Sequence, residues 1–173
     1  VKFQTFKASE IVTADSPKAK YQLKVTDEDE TQYEMLSKIE LGVEEFKRIK
    51  DECKKNNIDF MSTPYSYSDI ELLEEIGVDR YKIASGQLTE IDFLKTVAKK
   101  GKKIILSTGM GTMSEVFDAV TAIKEINNDL IVLQCTTNYP SLIEEANVSA
   151  MLAIGEACKV EIGYSDHVKT NYA

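Results

Sequence analysis

The sequence predicts an α/β protein built around a parallel β-sheet. Short apolar runs alternate with longer amphipathic stretches along the chain, which is the pattern of βα units. After a first long polar segment, the apolar runs begin roughly every 22 to 30 residues, a spacing that fits parallel strands joined by helices. Most of these runs end in a polar cluster. The predicted strands are residues 1–6, 59–62, 81–84, 103–107, 130–134 and 160–164.

Five amphipathic stretches predict the connecting helices. In the first of them, Phe46, Ile49 and Cys53 recur at helical spacing, which places them on one face. Gly77 and Gly101 follow two of the stretches directly, where the backbone often adopts a positive φ angle. The predicted helices are residues 44–56, 68–76, 90–100, 114–127 and 146–158.

The sequence contains no mark of a domain boundary. Its 173 residues include only three prolines, so residues 1–173 are predicted to form one domain. Residues 8–31 are polar and without periodicity, and we expect an irregular segment that forms either a functional loop or a mobile flap.

Composition excludes several classes of protein. The 21 Lys and Arg residues are outnumbered by 29 Asp and Glu residues, which gives a net charge of −8. This acidic charge argues against binding to nucleic acid. The fractions of hydrophobic and charged residues, 43% and 29%, are typical of a soluble globular chain. No apolar run approaches the roughly 18 residues that span a bilayer, and the first residues lack the pattern of a signal peptide. We therefore expect a cytoplasmic protein without a membrane partner.

The three cysteines predict packing and no disulfide framework. Cys53, Cys135 and Cys158 are an odd number and include no C-x-x-C pair, so a sulfur zinc site is also excluded. Cys135 follows an apolar run and is a candidate nucleophile, but no motif links it to the single histidine, His167. Packing is the favoured interpretation, because free cysteine is among the most buried residue types.

Two parallel architectures compete. The length favours a doubly wound sheet, because a (β/α)8 barrel typically needs about 250 residues. The polar clusters at the carboxyl ends of nearly all predicted strands favour a barrel, whose sites are built from the ends of many strands.

The strand ends share a chemistry that suits an anion. Lys2 and Lys82 offer cationic donors, and Gly86 and Gly109 permit close approach of the backbone. No P-loop or dinucleotide-binding motif is present, so a phosphate or carboxylate of a smaller ligand is predicted. Short hydroxyls stand beside these groups at Thr63, Ser85, Ser107 and Ser165.

Six sequence blocks stand at or beside the predicted strand ends. They are VKFQT at 1–5, STPY at 62–65, YKIASG at 81–86, ILSTGM at 105–110, QCTTNYP at 134–140 and GYSDH at 163–167. In sequence and in order, these blocks resemble the sialic acid synthase family, which includes N-acetylneuraminate, legionaminate and pseudaminate synthases.

The resemblance implies a fold, a reaction and an assembly. The fold would be a (β/α)8 TIM barrel, here a partial barrel of about strands 2 to 7. The first and eighth strands and a C-terminal antifreeze-like domain would be absent from this piece, whose activity would be impaired. The enzyme would be a transferase of sialic acid or surface polysaccharide biosynthesis, and the full-length protein a homodimer. It would condense phosphoenolpyruvate with an N-acylated hexosamine such as N-acetylmannosamine, releasing phosphate.

The resemblance also implies roles for individual residues. A divalent metal, Mn²⁺ or Mg²⁺, would be bound by His167 and by a second histidine outside this chain. Gln4 and Tyr139 would face the sugar, and no catalytic residue is assigned. Phosphoenolpyruvate would be bound by Lys2, Thr63, Lys82, Ser85, Ser107, Thr137, Asn138 and Ser165.

Three positions depart from the family pattern. Gln87 stands where many members carry an acidic residue, and Val168 stands where threonine is common. The phosphate-binding asparagine of some members falls one position before Asn138, so either Thr137 or Asn138 would contact the phosphate.

Two other functions remain open. In a Schiff-base aldolase of the sialate lyase kind, Lys82 would attack a ketone, although desolvated lysines of that kind do not suit surroundings rich in hydroxyls. An inactive fragment that keeps phosphoenolpyruvate binding is the non-enzymatic alternative.

Overall fold

A computed structural model describes residues 1–19, 22–24, 26–27 and 29–169. The chain divides into two compact units, residues 1–78 and 79–173. The first unit contains β1 (Lys2–Thr5), α1 (Ala8–Ile11), α2 (Gln32–Ser37), α3 (Val43–Lys55), β2 (Met61–Pro64) and α4 (Tyr67–Ile76). The second contains β3 (Arg80–Ile83), α5 (Ile91–Ala98), β4 (Lys103–Ser107), α6 (Met113–Lys124), β5 (Leu130–Cys135), α7 (Ala150–Cys158) and β6 (Glu161–Ser165).

In the first unit, β1 and β2 pair in parallel. Phe3 packs against Phe46 of α3 and against Phe60, with ring centroids 6.4 and 5.6 Å apart, so this face of the pair is covered. Ser62 and Thr5 are buried on the same face, and their hydroxyl oxygens lie 2.7 Å apart. The register places Gln4 beside Thr63, and strand alternation turns both away from the Phe3 face.

Helix α4 is closed at both ends by side chains. At its start, the Asp69 carboxylate accepts hydrogen bonds from the backbone amides of Tyr65 and Ser66 at 3.1 and 2.8 Å. At its end, Gly77 takes a φ angle of 76°, which glycine adopts without strain. Lys50 of α3 donates to the carbonyl oxygens of Ile76 and Gly77, both at 2.8 Å.

In the second unit, β3, β4, β5 and β6 form a parallel sheet in chain order. A Cβ on Gly155 of α7 would lie 3.1 Å from the Ile162 side chain, so Ile162 faces that helix. Register places Val132, Leu106 and Ile83 on the same side. These three side chains are fully buried, and they form the core between the sheet and its helices.

The opposite face of this sheet carries polar groups at its carboxyl edge. Lys82 pairs with Ile105, and Ser107 follows two residues later on the same side. Ser107 pairs with Leu133, and Cys135, two residues further, pairs with Ser165. We call this side, defined by Lys82, Ser107, Cys135 and Ser165, the Lys82 face.

The parallel α/β class is confirmed, and Gly77 and Gly101 have the expected positive φ angles of 76° and 69°. All three cysteines are buried and free, as packing requires. The predicted strand 59–62 is displaced, because pairing with β1 extends β2 to Pro64 and places Thr63 inside the strand. Among the described residues, no helix combines the length and apolar character needed to cross a bilayer.

Two predictions of local structure are wrong. Residues 8–31 are not wholly irregular, since they contain α1 and a 3-10 turn at Gln22–Lys24. The predicted helix 146–158 begins only at Ala150, because Asn147 takes a φ angle of 46° that interrupts the helix. Helix α2 begins at Gln32, and Thr31 and Glu34 form a capping box at its start.

Candidate anion site

Lys82 and Ser107 form the buried part of the candidate site. Lys82 is only 8% exposed, and its ammonium donates hydrogen bonds to the Ile83 carbonyl at 2.8 Å and to the Ser107 hydroxyl. Ser107 is 4% exposed. Buried ammonium groups need such oxygen partners. The sequence predicted both residues, and the structure brings them together.

Ser85 lies beside them in a 3-10 turn, Ser85–Gln87, that follows β3. Its hydroxyl oxygen accepts a hydrogen bond from the Gly109 amide at 2.9 Å and lies 3.2 Å from the Cys135 sulfur. A Cβ on Gly109 would lie 3.0 Å from Ser85 Oγ, 3.0 Å from Thr137 Cγ2 and 3.1 Å from Cys135 Sγ. We call Ser85, Gly109, Cys135 and Thr137 the Ser85 cluster. It packs tightly because residue 109 has no side chain.

The structure separates the two candidates for the phosphate contact. Thr137 lies in the Ser85 cluster, whereas the Asn138 amide donates to the Glu145 carboxylate at 3.0 Å. Both residues are exposed. Thr137 is therefore the one that adjoins the other predicted anion ligands.

Tyr139 and His167 contact each other directly. Their ring centroids are 4.0 Å apart, and the Tyr139 hydroxyl lies 2.7 Å from His167 Nε2. Ser165 Oγ is 3.4 Å from the same nitrogen. The Ser141 amide donates to the His167 carbonyl at 2.8 Å, which holds this segment beside the loop after β5. The predicted sugar residue and the predicted metal ligand thus form one pair.

The donor set does not form a metal site by itself. Among the described residues, no group of three or more His, Cys, Asp or Glu side chains lies close enough to hold a metal ion. His167 would supply a single nitrogen, and its Nε2 is at hydrogen-bonding distance from a hydroxyl. A zinc site normally has three or four protein ligands, and other divalent ions also need several oxygen or nitrogen donors. His167 alone does not meet this requirement.

Three predicted site residues lie in the first unit and share one face of the β1–β2 pair. Gln4 pairs with Thr63 in register, and Lys2 lies two residues earlier on the same side. Thr63 is 2% exposed, whereas Lys2 and Gln4 are exposed. The Gln4 amide donates to the Tyr65 hydroxyl at 3.0 Å.

A cavity of about 390 Å³ adjoins the Ser85 cluster in the second unit. Cys135 and Thr137 line it together with Gln134, which faces the helices, and with Glu145 and Ile154. Sequence reasoning missed Cys135 as a neighbour of Ser85. Strand alternation in β5 was the available signal, because it places residue 135 on the face opposite to Val132.

Gln87 is buried in the turn that also carries Ser85. It is 4% exposed, and neither atom of its side-chain amide has a hydrogen-bond partner among the described residues. Near the end of β6, on the side that faces the helices, burial and then the nearby Asp166 carboxylate raise the pKa of the Tyr164 phenol above its usual value. Tyr164 therefore stays neutral at physiological pH.

Comparison with known proteins gives a consistent result. The sequence model of the NeuB family matches residues 1–173. The N,N'-diacetyllegionaminic acid synthase of Campylobacter jejuni is 41% identical over 172 residues, which cover 98% of this chain and 52% of that protein. The pseudaminic acid synthase of Helicobacter pylori is 35% identical, with 96% of this chain and 49% of that protein covered. The chain spans about half the length of these curated relatives.

A solved structure extends the likeness to the fold. The N-acetylneuraminic acid (sialic acid) synthetase from Leptospira borgpetersenii, in complex with citrate, superposes with a TM-score of 0.83 at 32% identity. The match covers 99% of this chain and 55% of that one. The predicted fold class, a partial (β/α)8 barrel, is therefore confirmed.

Proposed function

The chain belongs to the NeuB family, and on that premise we propose that it carries the phosphoenolpyruvate-binding part of a sugar-acid synthase. Its activity in the whole protein would be the condensation of phosphoenolpyruvate with an N-acylated hexosamine, in sialic acid or surface polysaccharide biosynthesis. The relatives named above are synthases of legionaminic, pseudaminic and N-acetylneuraminic acids, which supports this class of product.

The observation that carries the proposal is the set of hydrogen-bond donors at the carboxyl ends of β3 and β4. The Lys82 ammonium and the hydroxyls of Ser107 and Ser85 lie on adjoining strand ends, and hydroxyls and ammonium groups are effective donors to phosphate and carboxylate oxygens. In the proposed site they bind the phosphate or the carboxylate of phosphoenolpyruvate, with Thr137 and Ser165 beside them. Lys2 and Thr63, to which the family resemblance gives the same role, lie in the first unit.

The proposed reaction is an aldol-like addition in which each bond formed is matched by a bond broken. C3 of phosphoenolpyruvate forms a bond to the aldehyde carbon of the open-chain sugar, whose oxygen takes a proton to become a hydroxyl. Water adds at C2, and the C2–O bond to phosphate breaks. Fixed positive charge at Lys82 stabilises the phosphate as it leaves. In the second unit, Tyr139 would orient the sugar.

The contacts of Lys82 favour this reaction over a Schiff-base aldolase. An aldolase lysine must become a neutral amine that attacks a ketone. The partners of Lys82 described above, the Ile83 carbonyl and the Ser107 hydroxyl, both accept hydrogen bonds from its side-chain nitrogen, which suits a donor to an anion.

A metal and an assembly belong to the proposal as well. Mn²⁺ or Mg²⁺ would act as a Lewis acid at the sugar aldehyde, and it would need ligands in addition to His167. A homodimer of the whole protein, acting in the cytoplasm, is also proposed. Light scattering on the whole protein would measure its oligomeric state.

Calorimetric titration with phosphoenolpyruvate tests the binding proposal. We expect the chain to bind it, and we expect Lys82→Ala and the longer Lys82→Met to lose at least tenfold in affinity. The matched control is Lys99→Ala, which removes the same charge from an exposed position at the end of α5. Binding by all four proteins alike, or by none while each is folded by circular dichroism, would contradict the proposal.

Borohydride reduction in the presence of pyruvate tests the competing function. A synthase should remain unlabelled, whereas an aldolase would form a reduced adduct at Lys82 that mass spectrometry detects. Binding of phosphoenolpyruvate without turnover in the presence of sugar and Mn²⁺ would indicate the inactive fragment.

A further inference from the structure

The hydroxyl of Ser85 has one hydrogen-bonding position more than its two neighbours, the Gly109 amide and the Cys135 sulfur, occupy. A serine hydroxyl has one proton to donate and two lone pairs that accept. The Gly109 amide takes one lone pair at 2.9 Å. One proton and one lone pair remain, and the Cys135 sulfur, 3.2 Å away, is placed to use either of them.

A thiol suits this position because it is both a weak donor and a weak acceptor. While the site is empty, the Ser85 hydroxyl can donate its proton to Cys135 Sγ. When an anion enters, a charged oxygen is the stronger acceptor and draws the hydroxyl proton. The Cys135 S–H can then turn and donate to the lone pair that remains on Ser85 Oγ.

The surroundings keep the two groups in contact. Cys135 is 4% exposed, at the end of β5, and it shares the Lys82 face with Ser107 and Ser165. The absence of a side chain at Gly109 lets the cluster close, since a Cβ there would lie about 3 Å from both Ser85 Oγ and Cys135 Sγ. Packing therefore restricts the positions of both atoms, and only their hydrogens need to move.

We propose that Cys135 is a positioning residue of the anion site, which holds the Ser85 hydroxyl ready for a phosphate or carboxylate and exchanges hydrogen bonds with it when the ligand binds. The proposal rests on the proposed function in that Ser85 contacts the anion. It adds a role for a thiol that does not itself contact the ligand, and it requires no covalent step.

A double-mutant cycle measures this coupling. Phosphoenolpyruvate and inorganic phosphate are titrated into the wild-type chain, Cys135→Ala, Ser85→Ala and the double variant. Loss of one weak hydrogen bond predicts that Cys135→Ala weakens binding about three- to tenfold. In the Ser85→Ala background the same change should alter affinity less than about twofold, because the partner is gone. Cys135→Ser, which restores a donor and acceptor, should recover part of the loss.

The control for removal of a buried thiol is Cys158→Ala. Cys158 is 6% exposed, at the end of α7 in the same unit, and burial raises the pKa of its thiol. Its removal should leave both affinities unchanged. An equal effect of Cys135→Ala with and without Ser85 would show a general packing role and overturn the proposal.

Infrared spectroscopy of the S–H stretch tests the contact without any ligand. Cys53→Ala/Cys158→Ala leaves Cys135 as the single thiol, so its band can be followed alone. We expect Ser85→Ala to shift this band, and phosphoenolpyruvate to shift it in the chain that keeps Ser85. An unchanged band in Ser85→Ala would overturn the proposal even if the anion binds. The wild-type chain could fail to bind either anion while Ser85→Ala still shifts the S–H band. That result would overturn the proposed function and the exchange of hydrogen bonds on ligand binding. It would still support the contact between Ser85 and Cys135.

Discussion

Lys82 and Ser107 lie on neighbouring parallel strands, and the ammonium of Lys82 donates a hydrogen bond to the Ser107 hydroxyl across them. Lys82 is in register with Ile105, so its side chain reaches two residues towards the carboxyl edge of β4. The donors of the candidate site are thereby concentrated at that edge, next to Ser85.

Ser107→Ala should weaken phosphoenolpyruvate binding about three- to tenfold, because it removes one donor and releases the Lys82 ammonium. It should also lower the free energy of unfolding by about 1 kcal/mol, since a buried charged donor loses an acceptor. Titration calorimetry and urea unfolding measure the two effects. Ser107→Thr keeps the hydroxyl and should retain binding, and the exposed Ser114→Ala is the control. Unchanged affinity in Ser107→Ala would contradict the assigned contact.

Gly109→Ala should weaken anion binding by tenfold or more without unfolding the chain. The added methyl group would lie about 3 Å from Ser85, Cys135 and Thr137 and would force the Ser85 cluster apart. Gly86→Ala is a matched control in the turn after β3, because a Cβ there meets no atom within 4 Å. The measurement is phosphoenolpyruvate affinity together with the thermal midpoint. Equal affinities for the two variants would argue against tight packing at Gly109.

The position of the candidate site in the second unit could be predicted from the sequence, because polar residues follow the apolar run of each strand. Polar clusters follow buried apolar runs, and parallel strands bring their carboxyl ends to one edge, so the juxtaposition of Lys82 with Ser107 could be expected. The contact between Ser85 and Cys135 could not be expected from the sequence, because it depends on how closely the chain after β4 approaches the turn after β3. Composition predicts that edge, but it does not predict distances between loops.

Gln87→Met should raise the free energy of unfolding by about 1 kcal/mol, because the buried amide of Gln87 has no hydrogen-bond partner within the described chain and a thioether has less polarity to desolvate. Gln87→Glu, which introduces the acidic residue found in many family members, should instead destabilise the chain at neutral pH by burying a charge. Urea unfolding curves provide both values. A large loss of stability in Gln87→Met would mean that the amide has a partner in solution.

Asp69→Asn should change the pH dependence of stability in a defined direction. Burial raises the pKa of Asp69 above its reference value of 3.8, in spite of hydrogen bonds from Ser66 and from the Tyr65 amide. The folded state therefore binds the proton more tightly than the unfolded state, and the contribution of Asp69 falls as pH rises through the interval between the two pKa values. Asparagine keeps an acceptor oxygen and does not titrate.

The stability of Asp69→Asn relative to wild type should consequently increase as the pH rises through the reference pKa of 3.8 and above it. Urea unfolding at several pH values measures this difference, in which the titration of other carboxylates largely cancels. A relative stability that falls with pH would indicate that the hydrogen bonds to Asp69 outweigh burial.

Lys50→Met should lower the free energy of unfolding by about 0.5 to 1.5 kcal/mol, because the ammonium stabilises the carbonyl end of α4. Methionine keeps most of the aliphatic stem, so packing is preserved. The control is Lys54→Met, at an exposed position of α3, the helix that also carries Lys50. Guanidinium unfolding compares them, and equal stabilities would show that the contact contributes nothing.

Local signals explain where the helices were predicted well and where they were not. Phe46 and Cys53 are buried on one face of α3, as their spacing indicates. The apolar residues before Ala150 continue the helical pattern, but Asn147 turns the backbone into the left-handed region and the pattern cannot report this. Helix α2 is short, and its capping box carries more information than its periodicity.

One side of the second unit's sheet packs against the helices and the other carries the candidate anion site, so stability and ligand preference can be engineered separately. Side chains such as Ile83, Leu106 and Val132 contact the helices and are remote from any ligand on the Lys82 face. A combinatorial library restricted to these positions can be selected for heat resistance while ligand preference stays constant. A second library restricted to the Lys82 face can be selected for new acceptor anions, and the two sets of changes can then be combined, because a sheet one residue thick keeps their side chains apart.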